Sequence, residues 1–128
     1  MNKNTKVGDV EEIYVLSKDF NWNTKENRQL VDAFISIDDK SKMEAFLRDL
    51  MTESEIIEFS KRLEAARLLS RDTQYLSITE RTGLSSATVA RIAKWLRGPL
   101  GGYRFALSNI ANLSQHHHPL SKLEKGLS

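Results

Sequence analysis

The chain has no cysteine, and it has only two prolines and six glycines among its 128 residues. The absence of cysteine excludes disulfide bonds and thiolate metal sites. Because helix-breaking residues are few, a helical fold is favoured over an all-β fold. Long apolar runs are also missing, so the sequence predicts neither a signal peptide nor a membrane span, which needs ~20 apolar residues. We therefore expect a cytoplasmic protein with no membrane partner.

Acidic residues are absent from one long part of the chain. The sequence contains none between Glu80 and Glu124, whereas residues 1–80 hold sixteen acids and twelve bases. Residues 81–128 carry seven bases and one acid, although the formal charge of the whole chain is only +2. Such a basic block is typical of a surface that binds nucleic acid, because a merely solvated face usually carries interspersed acids. Its cations up to Arg104 are expected to face phosphates without local competition.

The basic block overlaps a segment, Gln74 to Leu96, that has the pattern of a helix-turn-helix. Gly83 lies where the turn needs a positive φ at little steric cost, and Ser85 is placed to cap the second helix. Apolar residues of the second helix recur at helical spacing and predict a buried stripe, formed by Val89, Ile92, Ala93 and Leu96. Its other face is small, hydroxylic and basic, which suits the major groove of DNA. An ordinary helical hairpin with a solvated face is the alternative.

The predicted DNA-binding residues lie on this outward face and near its two ends. The helix Ser86–Arg97 is expected to enter the major groove, and Arg81 and Arg97 to contact phosphates, which position a protein without reading sequence. The residues expected near bases or phosphates are Ser86, Ala87, Ala90, Arg91 and Lys94. The predicted function is sequence-specific transcriptional regulation, as a repressor, by a dimer that binds a double-stranded DNA operator. The alternative is a protein–protein interaction module with only weak, non-specific DNA affinity.

Apolar spacing predicts three helices before this segment and one after it. The first is expected to begin at Asn23 or Thr24, with Asn23 in a capping box, and capping boxes are expected to begin the second at Ser41 and the third at Thr52. The third helix, to about Ser70, is apolar over much of its circumference and must be buried on several sides. Because so short a chain offers few partners, a second subunit is a natural source of the missing surface. A central helix of a monomeric bundle is the alternative.

The chain is predicted to form one helical domain with two flanking segments. Residues 23–113 form the domain, residues 1–22 an N-terminal arm that packs on it or on a partner subunit or is partly disordered, and residues 114–128 a flexible tail. The tail holds three consecutive histidines, His116 to His118, which point in different directions and have no carboxylate nearby, so no metal site is expected. Since phosphate-loop, dinucleotide and nucleophile motifs are absent, we expect no cofactor and no enzymatic activity.

Three segments carry a family resemblance: MTESEIIEFSKRLEAARLL, TGLSSATVARI and LRGPLGGYRFAL. Together they resemble the Trp repressor superfamily, and in particular its YerC/YecD-type members. The resemblance implies an all-α, six-helix fold that forms an interlocked homodimer. It also implies that the two helix-turn-helix units reach successive major grooves, roughly one DNA turn apart.

The resemblance further implies a small-molecule pocket. In Trp repressor the indole of tryptophan lies between two arginines, which correspond here to Arg62 and Arg91, and Thr52 corresponds to a threonine near the ligand. Two positions depart from the family pattern, since Ile92 replaces a glycine and Trp95 replaces a serine. Both put bulk where the ligand would lie, so the pocket is expected to be self-filled and L-tryptophan is not expected to be the corepressor. Alternatively, Trp95 packs only against the last helix and leaves the pocket open for another ligand.

Overall fold

A computed structural model describes residues 17–113, so most of the predicted arm, the predicted tail and the three histidines lie outside the described residues. Over this range the chain is helical and forms no strand. The helices are α1 (Lys25–Ser36), α2 (Lys40–Leu50), α3 (Glu53–Ser70), α4 (Tyr75–Thr82), α5 (Ser86–Arg97) and α6 (102–113). The prediction of an all-α, six-helix fold is confirmed. No helix in residues 17–113 is long and apolar enough to cross a membrane.

The chain divides into two compact units, one ending at Arg62 and the other beginning at Leu63, so α3 contributes to both.

In the first unit, two predicted caps are wrong by a residue or two. The hydroxyl of Thr24, not Asn23, caps α1 by accepting a hydrogen bond at 3.1 Å from a backbone N–H. The carboxylate of Asp39, not Ser41, does so for α2 at 3.0 Å. Each helix is preceded by several side chains able to cap, and the backbone conformation selects among them.

The predicted capping box of α3 is confirmed. The hydroxyl of Thr52 accepts a hydrogen bond from the Glu55 N–H at 3.1 Å, and the Glu55 carboxylate accepts one from the Thr52 N–H at 2.9 Å. The bonds from the Thr52 backbone and hydroxyl hold the pKa of Glu55 below its ordinary value, because they stabilise its charged form. The start of α3 is therefore fixed by local sequence.

Within residues 17–113, the apolar faces of α1 and α2 remain largely uncovered. Neither helix has a buried residue, although the rings of Phe34 and Phe46 meet edge to face at 5.3 Å. In the first half of α3, Ile57 is 52% exposed and Phe59 is 46% exposed. In the part of the chain that the structure describes, these predicted inward faces therefore have no complete covering surface.

The core of the second unit is formed by the end of α3, by α4 and by α5. Its buried residues are Ala65, Ala66, Leu68, Leu69, Ile78, Leu84, Val89, Ile92 and Ala93. The four from α3 lie on one side of that helix, because helical spacing places them within about half of its circumference. Because α4 and α5 pack on this core and on each other, one face of α5 is held inside and the opposite face is left to solvent.

Candidate nucleic-acid interface

The turn between α4 and α5 is fixed by a glycine and a buried threonine. Gly83 adopts a left-handed φ of 78°, as predicted, and its N–H donates to the Thr79 carbonyl at 2.9 Å. The hydroxyl of Thr82 donates to the Ile78 carbonyl at 2.7 Å and accepts from the Leu84 N–H at 3.2 Å. Since Leu84 is itself buried, the turn is anchored in the core and holds the start of α5 in place.

The start of α5 carries the positive end of the helix dipole. Ser85 caps the helix as predicted, because its hydroxyl accepts a hydrogen bond from the Thr88 N–H at 3.1 Å. No acidic residue occupies the first turn of α5. The positive end of the helix dipole is therefore not neutralised within this turn, which favours an approaching phosphate.

The two faces of α5 differ as the sequence predicts. Val89, Ile92 and Ala93 are buried, and Leu96 packs partly buried against the core. The opposite face gathers the predicted DNA-binding residues of this helix, all exposed except the half-buried Ala90: Ser86, Ala87, Ala90, Arg91, Lys94 and Arg97. Among residues 17–113, the three cations of this face form no ion pair. Their charge is therefore available to a partner.

Arg81, at the end of α4, is exposed, and its charge acts on an acid of α3. Glu64 of α3 accepts hydrogen bonds from Arg67 at 2.8 and 2.7 Å. These bonds, and then the charges of Arg67, Arg81 and Arg71, lower the pKa of Glu64. Because Glu64 is already bonded to Arg67 and Arg81 forms no ion pair within residues 17–113, the role of Arg81 at a phosphate stays a prediction.

The residues of the predicted effector pocket differ in burial and in the contacts that their side chains make. Thr52 is engaged in the capping box, and Arg62 makes an ion pair at 3.3 Å and a cation–π contact at 5.5 Å within α3. Arg91 is exposed, Ile92 is fully buried, and Trp95 packs half-buried against the core. Ile92 is thus part of the core of the second unit. The existence of a pocket stays a prediction.

Sequence reasoning missed the structural use of Thr82 and Arg104. Both side chains bond to backbone carbonyls, and the guanidinium of Arg104 donates to the carbonyl of Leu96. Charge alone had placed Arg104 with the phosphate-facing cations. A threonine directly before the turn glycine was a usable signal for Thr82, whereas the partner of Arg104 is set by the path of the chain after α5.

The chain is similar to known proteins in sequence and in fold. The sequence model of a family described as "Trp repressor protein" matches residues 25–111, from the start of α1 into α6. "Uncharacterized protein YerC" of Bacillus subtilis (strain 168) is 35% identical over 86 residues, which cover 67% of this chain and 83% of that protein. The crystal structure of a TrpR-like protein from Eubacterium eligens ATCC 27750 is 33% identical with a TM-score of 0.64, over 70% of this chain and 93% of that one. The chain therefore belongs to the Trp repressor family.

Proposed function

We propose that the protein is a sequence-specific transcriptional regulator, most simply a repressor, that binds operator DNA as an interlocked homodimer. The family suggests a DNA-binding regulator. The observation that carries the proposal is the exposed basic face of α5, which lies opposite a buried stripe on a helix fixed at its start by Ser85 and Gly83. A helix held by one face and basic on the other is the element that the major groove accepts.

Each residue type on this face has a role in the proposed complex. Ala87 and Ala90 are small enough to let the helix backbone approach the base edges. Arg91 can donate two parallel hydrogen bonds to a guanine, the commonest base-specific contact. Lys94 and Arg97, in the last turn of α5, suit phosphates, as does Arg81 at the end of α4. This arrangement combines sequence discrimination with electrostatic affinity.

The proposed dimer accounts for the uncovered apolar surface of the first unit. The large apolar side chains exposed there are Phe20, Trp22, Leu30, Val31, Ile35, Leu50, Ile57 and Phe59. A soluble monomer rarely exposes so extensive an apolar surface. A second copy of the chain offers complementary surface of the same kind, and the two-fold symmetry of a dimer would present two α5 helices to half-sites roughly one DNA turn apart.

Selection of bound fragments from random duplex DNA tests the proposed function. The purified protein should enrich a common sequence with two related half-sites, because both α5 helices of a symmetric dimer read the same bases. If the recovered fragments share no sequence and bind only weakly at physiological salt, the interaction-module alternative is favoured.

L-tryptophan is expected not to bind, because Trp95 stands where the family repressor has a serine. Placing a second aromatic in a filled site typically costs ~1–3 kcal/mol. Trp95→Ser alone should create measurable affinity for indole compounds in calorimetry, and it spares the buried Ile92. The control is Phe105→Ser, which shortens an exposed aromatic and should create no affinity. Micromolar binding of L-tryptophan by the parent, with tighter DNA binding, contradicts the self-filled pocket. Failure of both Trp95→Ser and the double variant Ile92→Gly, Trp95→Ser to bind any indole, with both variants folded, contradicts an inherited one.

A further inference from the structure

The recognition helix α5 ends without the left-handed glycine that terminates α4. Its C-cap, Gly98, has φ −73° and ψ 175°, and the Gly98 N–H donates to the Trp95 carbonyl at 3.1 Å. The last carbonyls of a helix have no partner inside the helix and need one from outside. At the carbonyl of Leu96 that partner is a side chain, the guanidinium of Arg104. The end of α5 is therefore closed by a residue of the next helix.

The turn after α5 leaves room for this contact. Gly101 is buried and has a left-handed φ of 74°, and a Cβ built on it would lie 3.1 Å from Nη2 of Arg104 and 3.4 Å from the ring of Phe105. A side chain at Gly101 would therefore press on the guanidinium in addition to straining the backbone. Gly102, its neighbour, is different, because a Cβ there would meet nothing within 4 Å.

Arg104 lies on α6, a helix that packs against the core of the second unit. Tyr103 and Leu107, which flank Arg104 on α6, are partly buried and pack against the core of the second unit. The contact thus joins the last turn of α5 to an anchored helix. A charge-assisted bond to a carbonyl at the negative end of a helix is favourable both as a hydrogen bond and through the helix dipole.

We propose that Arg104 is a positioning residue that fixes the last turn of α5, and so the placement of Lys94 and Arg97, rather than a phosphate contact of its own. The proposal rests on the proposed function, because the consequence of a fixed last turn is selectivity between DNA sequences. Loss of the contact frees that turn, which weakens a complex that needs one geometry. Non-specific binding, which tolerates many geometries, is little changed.

The test compares Arg104→Gln with the parent on a selected fragment and on random duplex DNA over a series of salt concentrations. The variant should lose about 10-fold of its preference for the selected fragment, the loss expected for one charge-assisted hydrogen bond. Its affinity for random DNA and the slope of log affinity against log salt should be unchanged. Arg104→Lys, which keeps the charge and one donor, should recover part of the preference. If Arg104→Gln instead weakens binding to both DNAs equally and the slope falls by about one, Arg104 contacts a phosphate and the proposal is wrong.

Alanine variants of two adjacent glycines provide a second test of the proposal. Gly101→Ala should reproduce the loss of preference although it removes no charge, whereas Gly102→Ala should behave like the parent.

Amide hydrogen exchange in the absence of DNA separates this proposal from the proposed function. Exchange in the last turn of α5 should rise several-fold in Arg104→Gln and Gly101→Ala, and unchanged exchange in both refutes the positioning role. If exchange rises but the parent shows no sequence preference, the proposed function fails and the selectivity role fails with it, while the contact itself is upheld.

Discussion

Phe59→Asp should abolish folding rather than release a soluble monomer. The ring of Phe59 is 46% exposed in the single chain, so a monomeric fold would tolerate a polar residue there. In the proposed dimer the ring is covered by the partner, and an unpaired carboxylate buried in an apolar interface costs several kcal/mol. Circular dichroism and sedimentation of the purified variant should therefore show an unfolded chain.

The control for this variant is Ser60→Asp, which adds the same charge to a neighbouring exposed position of α3. It should fold and assemble like the parent. The melting temperature of the parent should also rise with protein concentration, because folding and association are linked in an obligate dimer. A folded monomeric parent at micromolar concentration contradicts the dimer and supports the monomeric-bundle alternative.

Lys94→Ala and Arg97→Ala should each weaken DNA binding and leave the fold intact. Both side chains are exposed in the last turn of α5, so their loss removes no packing of the core. Removing one phosphate contact should reduce the slope of log affinity against log salt by about one, for every DNA sequence tested. Fluorescence anisotropy with a labelled duplex measures both quantities.

A matched control is Lys42→Ala, which removes an exposed lysine of α2 outside the predicted interface. It should retain the affinity and the salt dependence of the parent. If Lys94→Ala and Arg97→Ala both bind all DNAs as tightly as the parent, the assignment of α5 as the recognition helix is wrong.

The helix-turn-helix was predictable because its determinants are local. A glycine in the turn, a serine cap and apolar residues at helical spacing each act within a few residues, and the structure confirms Gly83, Ser85 and the buried stripe. The caps of α1 and α2 are equally local but were misplaced, since adjacent side chains compete for the same role. Thr52 has an acid at the spacing that completes a reciprocal box, and there the prediction is confirmed.

The features that escaped prediction depend on contacts between distant parts of the chain. The charge of Arg81 on α4 acts on Glu64 of α3, and Arg104 reaches Leu96 because the chain turns back after α5. Charge and hydropathy along the sequence carry no record of either interaction. The predicted tail and most of the predicted arm lie outside the described residues, and the effector pocket depends on a ligand, so all three stay predictions.

Methylation interference on a selected DNA fragment tests the central claim, that the exposed face of α5 enters the major groove, most directly. The N7 atom of guanine lies in the major groove and the N3 atom of adenine in the minor groove, so the methylated position reports which groove is occupied. We expect N7 methylation to block binding in two clusters about 10 base pairs apart, one for each α5 of the dimer. Binding that is indifferent to N7 methylation, but is blocked by methylation of adenine N3, would contradict the claim.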